Sequence, residues 1–515
     1  MNAENTVPVI AGFFPDPSIC RSGDDYYVVC SSFEYAPGVP IFHSRDLYRW
    51  EQIGNVLAGP VAPRPSQGVY APTIRYHDGR FWMITTDVGL LRDGHLITHA
   101  ERPEGPWSEP VHVAGTLGID PDLAWDDDGN CYLTYASFQE GGGIVQLRVD
   151  PETGTALSDT YLVWRGTDMQ NTEAPHLYQV DGYWYLLVAE GGTERGHAVT
   201  IARGPAPQGP FEGCPANPIL SHRSTGHPVQ NTGHADLVRS ADGSWFAVLL
   251  GVRPRGFTPG YHVNGRETFL ARVEWRDGWP VFLDPEPAVT PADHSFTDDF
   301  TGPALHPRWV SPGDGLLCVR ARDAYWTAEA TVDRTALPSR LVLRLDDRHW
   351  YGLTLDTTPA DVGTSRPAAS DIAAGEIAAA DINAGRTAAP GVATPKAAAA
   401  DIAAGEVAAR GADAGHVAAG RVDAVARIGD LEQVTGSVRV TGDTVTLRIS
   451  AVEHANASEP NVSAGPDQIV LSADGIELAR LDGRYLSTEV AGGFTGRVIG
   501  VAGARRFSYT TEGPQ

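Results

Sequence analysis

Asp16, Asp120 and Glu173 are the residues in this chain whose type and spacing suit acid–base chemistry, because they fall at matching places in an internal repeat. Taken singly, an Asp beside a Pro in a β protein is a turn or strand-end cap. Carboxylates that converge from several repeats on one pocket repel one another and raise one another's pKa, an arrangement that proteins keep where it does work. Two carboxyls in opposite protonation states can act on one bond as acid and base. Other chemistries lack their signatures: the sequence has no Gly-x-Ser-x-Gly elbow, Walker A loop, Gly-x-Gly-x-x-Gly after a strand, or His-Glu-x-x-His. Asp126, Asp127 and Asp128 run directly into a turn without EF-hand spacing, so they read as a solvated turn and not a metal loop.

The elements that position these carboxylates come from the repeat. A turn with Asp or Gly followed by an aromatic strand occurs at Asp24-Asp25-Tyr26-Tyr27, Asp78-Gly79-Arg80-Phe81, Asp128-Gly129-Asn130-Cys131-Tyr132, Asp181-Gly182-Tyr183-Trp184 and Asp242-Gly243-Ser244-Trp245. Asp-Gly between apolar runs predicts a hairpin with a type I′ turn, whose two central residues need positive φ. A period of about 50 residues with one hairpin and room for two more strands predicts a four-stranded propeller blade. Five repeats make five blades. Eight residues before each turn Asp stand Asp16, Tyr70, Asp120, Glu173 and His234. Equivalent positions on inner strands face the central channel, so these five are expected to share one pocket.

The fold class expected is therefore all-β: a five-bladed propeller over residues 1–290, then a concanavalin-like β-sandwich over 291–515. Short alternating segments such as Leu341-Val342-Leu343-Arg344-Leu345 and Val445-Thr446-Leu447-Arg448-Ile449 predict the second domain. An Ala-rich stretch of low complexity at about 358–426 interrupts it, with Asp-Ile-Ala-Ala-Gly at 371 and 401, and is read as an insertion without a catalytic role.

Lys+Arg 39 against Asp+Glu 64 gives a net charge of −25, which repels nucleic acid and anionic membranes as partners. Five widely spaced cysteines without a Cys-x-x-Cys pair predict buried free thiols. The first residues lack a basic start followed by an apolar run, and no stretch is apolar enough to span a bilayer, so a cytoplasmic protein is expected.

The sequence also resembles glycoside hydrolase family 43, in particular its β-xylosidases with a C-terminal sandwich. The motifs that carry the likeness are Phe13-Phe14-Pro15-Asp16-Pro17-Ser18, Ser32-Phe33-Glu34, Pro37-Gly38-Val39-Pro40-Ile41, Gly118-Ile119-Asp120-Pro121-Asp122-Leu123, Thr172-Glu173-Ala174-Pro175-His176-Leu177-Tyr178 and Gly265-Arg266-Glu267-Thr268. The resemblance implies Asp16 as general base, Asp120 as the residue that orients and tunes the acid, and Glu173 as general acid. It places Arg266 against the carboxylates or a sugar hydroxyl, and Phe494 of Gly492-Gly493-Phe494-Thr495-Gly496 across the pocket from the sandwich. Phe33 and Tyr70 are the sugar platform, with propeller core as the other reading of each ring. His234 is either a neutral core imidazole or, as the resemblance implies, the neighbour of a water-linked channel cation such as calcium; no cofactor is required.

Three departures bear on sugar preference: Tyr70 stands where the family commonly has Trp, Ala174 where it has Gly, and the stretch Gly260-Tyr261-His262-Val263-Asn264 before Gly265 differs from the usual pattern. The function expected is an inverting exo-β-1,4-xylosidase acting on xylo-oligosaccharides, with α-L-arabinofuranosidase on an arabinoside as the alternative. A carbohydrate-binding propeller without turnover is the reading from another class. The resemblance also admits a homo-oligomer.

Overall fold

The computed structural model describes residues 7–59, 64–139, 141–256, 260–285, 287–335, 338–356, 420–453 and 467–512. Most of the Ala-rich stretch, 357–419, lies outside them.

Five antiparallel sheets of four strands, each joined in sequence order, cover residues 18–283; the third gains an extra strand, Tyr161–Trp164, beside Ile144–Asp150. Their first strands, Ser18–Ser22, Thr73–His77, Gly118–Trp125, Glu173–Val180 and Gln230–Arg239, touch one another in a closed ring. This is a five-bladed propeller with those strands innermost. The second strands read as continuous apolar runs because both faces are covered, as in Tyr183–Glu190. One apolar cluster fills each gap between blades: Ile41 with Ile74 and Met83, Ile84 with Leu133, Ile144 with Leu186, Leu187 with Leu249, and Val248 with Val28.

Ring closure uses backbone and side chains. Ile10 and Thr268 exchange backbone hydrogen bonds of 3.2 Å, adding the N-terminal segment to the last blade. Asp236 of the fifth blade accepts from Ser18 Oγ at 2.6 Å and from the Ile19 amide at 2.9 Å in the first.

Hairpins join the inner two strands of every blade, yet only two have the expected turn. Asp78-Gly79 and Asp181-Gly182 have positive φ at both residues, 49° and 78°, then 50° and 82°. At Asp128-Gly129 and Asp242-Gly243 only the glycine does. Neighbouring side chains divert these turns: Asp126 accepts from the amides of Asp128 and Asn130, and Ser240 donates to Asp242.

The rest of the described chain forms two six-stranded sheets packed face to face. One runs Phe296–Asp298, Ala504–Thr511, Trp326–Asp333, Thr444–Val452, Gln468–Ala473, Ile476–Asp482 in space. The other runs Leu317–Arg320, Val498–Ala502, Ser339–Arg344, His349–Asp356, Gly420–Ile428, Leu431–Val440. Alternation builds the core: Trp326, Ala328, Ala330 and Val332 point inward, with half-buried residues between. The strand Gly420–Ile428 corrects the C-terminal limit of the insertion, since 420–426 pair with 433–440 as sandwich structure. Val422 and Ala424 are its inward positions, a pattern that the surrounding alanines hide.

The described parts of propeller and sandwich form one compact unit. Phe13, Phe33 and Tyr35 of the first blade share an apolar cluster with Val310, Leu316, Cys318 and Val498 of the sandwich. All five cysteines are free and buried. Among the described residues no helix is long and apolar enough to cross a membrane.

Candidate active site

An unusual backbone aims the site residues. Asp16, Asp120 and His234 are left-handed, with φ of 55°, 55° and 49°, as is Ala174, at 52°, directly after Glu173. Non-glycine residues seldom adopt this region, and in three blades it coincides with a break in the strand register. Pro17, Pro121 and Pro175 stand directly after these points, where a missing N–H costs no ladder hydrogen bond. The alanine at 174 is thus strained where glycine is free, and its amide donates to Asp120 Oδ2 at 3.2 Å. Asp120 in this way holds the backbone that carries Glu173.

The three carboxyls differ in their surroundings. Asp16 is 5% exposed, and its Oδ1 accepts from Arg266 Nη1 at 2.7 Å and its Oδ2 from Ser31 Oγ at 2.6 Å. His234 Nδ1 lies 3.6 Å from Oδ1. Burial raises the Asp16 carboxyl, but Arg266, His234 and the Ser31 hydroxyl together outweigh it and hold the group below its ordinary value. Glu173 is half-buried and makes no side-chain hydrogen bond or ion pair among the described residues. Burial first, then the charge of Asp16, push it up to about 7 against the pull of Arg266. Asp120 is raised well above the carboxylate range by burial and by Glu173 and Asp16. Neighbouring negative charge does bear on Glu173, from Asp16 and from Asp120, with which it interacts as a pair.

Aromatic rings wall one side. Phe33, 3% exposed and left-handed at φ 50°, packs on Tyr70 at 5.1 Å and on Phe494 at 6.1 Å between centroids. The Arg266 guanidinium lies 5.8 Å from the rings of both Phe33 and Phe494. It also donates to Thr193 Oγ1 at 2.9 Å and to the Phe494 carbonyl at 3.4 Å. Asp16, Phe33, Tyr70, His234, Arg266 and Phe494 therefore lie in one connected set of contacts, and Asp120 and Glu173 are tied to Asp16 and Arg266 by charge. Beside Arg266 and Phe494 opens a cavity of about 970 Å³, walled by Thr193, Glu194 and Gln230 of the propeller and by Glu489 of the sandwich.

A second layer in the channel was missed from sequence. Arg75 of the second blade donates to Asp122 at 2.6 Å in the third, to His176 Nδ1 at 2.9 Å in the fourth and to Asp236 at 2.7 Å in the fifth. Ser18 of the first lies 3.3 Å away, so one guanidinium joins all five blades. Ser18, Asp122 and Asp236 each stand two residues after an aligned position, a register in which the repeat could have disclosed them.

This layer bears on a channel cation. Burial pushes His234 down to about 3, against the opposing charge of Asp16, so the ring is neutral. The described residues contain no group of three or more His, Cys, Asp or Glu able to hold a metal. Arg75 and Arg266 already supply positive charge to the carboxylates on either side. Among the described residues no side-chain cluster would hold a cation directly, so a cation beside His234 would be held through waters.

A five-bladed propeller whose channel mouth gathers three carboxyls, an arginine and aromatic rings beneath a β-sandwich is the architecture of a carbohydrate-active protein. The sequence model of glycosyl hydrolases family 43 matches residues 5–280, and the chain belongs to that family. A xylosidase/arabinosidase of Butyrivibrio fibrisolvens is 48% identical over 53% of this chain and 55% of its own. A non-reducing end α-L-arabinofuranosidase of Bacteroides ovatus is 45% identical over 53% of this chain and 52% of its own. These matches span about half the length of the curated relatives. The crystal structure of a xylan β-1,4-xylosidase from Bacillus halodurans C-125 superposes with a TM-score of 0.75 at 25% identity, over 98% of this chain and 99% of that one.

Proposed function

We propose that the chain is an inverting exo-glycoside hydrolase that removes single xylose units from the non-reducing ends of β-1,4-linked xylo-oligosaccharides. The observation that carries this reading is the opposed state of two carboxyls from non-adjacent blades. Asp16 is locked in its ionised form by Arg266 and Ser31, while Glu173, unpartnered among the described residues, keeps its proton up to about 7. Such divergence assigns acid and base. Glu173 donates its proton to the glycosidic oxygen as the bond to the anomeric carbon breaks. Asp16 takes a proton from the water that attacks that carbon from the opposite face, so the configuration inverts. The base thereby ends protonated and the acid ionised, and exchange with solvent resets both.

Asp120 is the positioning carboxyl, through the Ala174 amide. Phe33, Tyr70 and Phe494 bind the apolar C–H face of the pyranose, and Arg266 orients Asp16 at the sugar's edge. Closure by the sandwich at Phe494 favours a terminal sugar over an internal one. The adjoining cavity takes the rest of the oligosaccharide.

An α-L-arabinofuranosidase is the second reading, supported by the activities for which both curated relatives are named. Matched chromogenic β-xylopyranoside and α-L-arabinofuranoside separate the two: kcat/KM higher on the xyloside supports the first, and the reverse order supports the second. Turnover of neither leaves a carbohydrate-binding propeller.

A further inference from the structure

Glu34 is buried to 3% exposure at the seam between the first blade and the sandwich, yet it touches no catalytic group. Its Oε2 accepts the Ser66 amide at 2.9 Å, while Oε1 has no partner among the described residues. Tyr35 and Tyr70 of the propeller, and Cys318, Arg344 and Asp346 of the sandwich, are ionisable groups that face it. A carboxyl so placed is costly to bury, and the hydrogen bond it accepts from the Ser66 amide shows what it secures.

Ser66 is left-handed, with φ 57°, a conformation that needs support in a residue with a side chain. From that conformation it makes two further contacts. Its carbonyl accepts from the Tyr70 hydroxyl at 3.0 Å, and its Oγ accepts from the Phe494 amide at 2.9 Å. Tyr70 and Phe494 are the rings that flank Phe33, one from the propeller and one from the sandwich 428 residues further along than Ser66. Gly493 allows this approach, since a Cβ there would stand 2.5 Å from Ser66 Oγ.

We infer that Glu34 is a positioning residue that, through Ser66, sets Tyr70 and Phe494 around the sugar and so makes the sandwich part of the glycone pocket. The inference rests on the sugar-binding reading of those rings proposed above. It deepens that reading by naming what fixes sugar affinity without touching the sugar.

The test is steady-state kinetics of the full chain on whichever aryl glycoside the wild type hydrolyses. Glu34→Ala is expected to raise KM about tenfold, the order of one lost buried hydrogen bond, with kcat within about twofold. Glu34→Gln, whose amide oxygen still accepts from Ser66, restores KM. Ser66→Ala raises KM by releasing Phe494, and the double variant is no worse than Glu34→Ala alone. Should Glu34→Ala fail to fold, Ser66→Ala and Gly493→Ala carry the test, both with raised KM. Wild-type KM in these variants, a loss confined to kcat, or additive effects in the double variant would overturn the inference while the hydrolase reading stands. A wild type inactive on both glycosides overturns the hydrolase reading and this role with it.

Discussion

Replacing Glu173 by glutamine removes a proton donor and little else, so the loss it causes measures general-acid catalysis alone. Burial and Asp16 raise this carboxyl from 4.5 to about 7. At pH 7 about half of the molecules then hold the proton, where an unshifted Glu would hold it in about one in 300. A general acid contributes about 10²- to 10⁴-fold, and the contribution scales with how poor the leaving group is. Glu173→Gln is therefore expected to lose about 10³-fold in kcat/KM on xylobiose, but less than about tenfold on a nitrophenyl xyloside, whose phenolate leaves unaided. The pH profile adds an independent check. Glu173 works protonated, so wild-type kcat/KM on xylobiose falls as pH rises through about 7; Asp16 works ionised, and its lowered value puts the acid limb below the ordinary aspartate range. Glutamine removes the alkaline limb and leaves the acid one. Asp16→Ala, by contrast, loses activity on both substrates because the water is no longer activated. Equal loss on both substrates in Glu173→Gln, or an alkaline limb that persists at about 7, would refute the assignment.

Three other perturbations probe the same geometry. Arg75→Met leaves Asp122 and Asp236 buried without their shared cation and should cost about 3–5 kcal/mol in urea unfolding; a cost below about 1 kcal/mol would deny it the joining role. Chelation by EDTA followed by dialysis should leave kcat/KM unchanged, and a loss reversed by calcium would show that a cation does sit in the channel. Deletion of residues 358–419 should leave kcat/KM on xylobiose unchanged, and a large loss would give that stretch a part in the site.

Much of this arrangement was legible in the sequence because the repeat imposes symmetry. Asp-Gly turns mark one hairpin per blade, and a fixed step back from them reaches Asp16, Tyr70, Asp120, Glu173 and His234. That step works because the inner hairpins keep nearly constant length. What escaped is what crosses between blades or domains. Arg75 lies outside the aligned positions, and its partners come from four other blades. Glu34 was visible as part of a motif, but its link to Phe494 passes through Ser66, in a loop whose left-handed backbone no local pattern announces. The strand Gly420–Ile428 was hidden for a different reason: alanine fills inward positions there, and alternation of small residues reads as low complexity. Local turn chemistry at Asp126 and Ser240 also overrode the Asp-Gly preference in two hairpins.

The most direct test of the central claim is proton NMR of xylobiose hydrolysis, monitored at the anomeric signal before mutarotation equilibrates it. Because Asp16 delivers water to the face opposite the departing sugar, α-xylose should accumulate first. Initial β-xylose would mean retention, which would make a carboxylate the nucleophile and contradict the role given to Asp16.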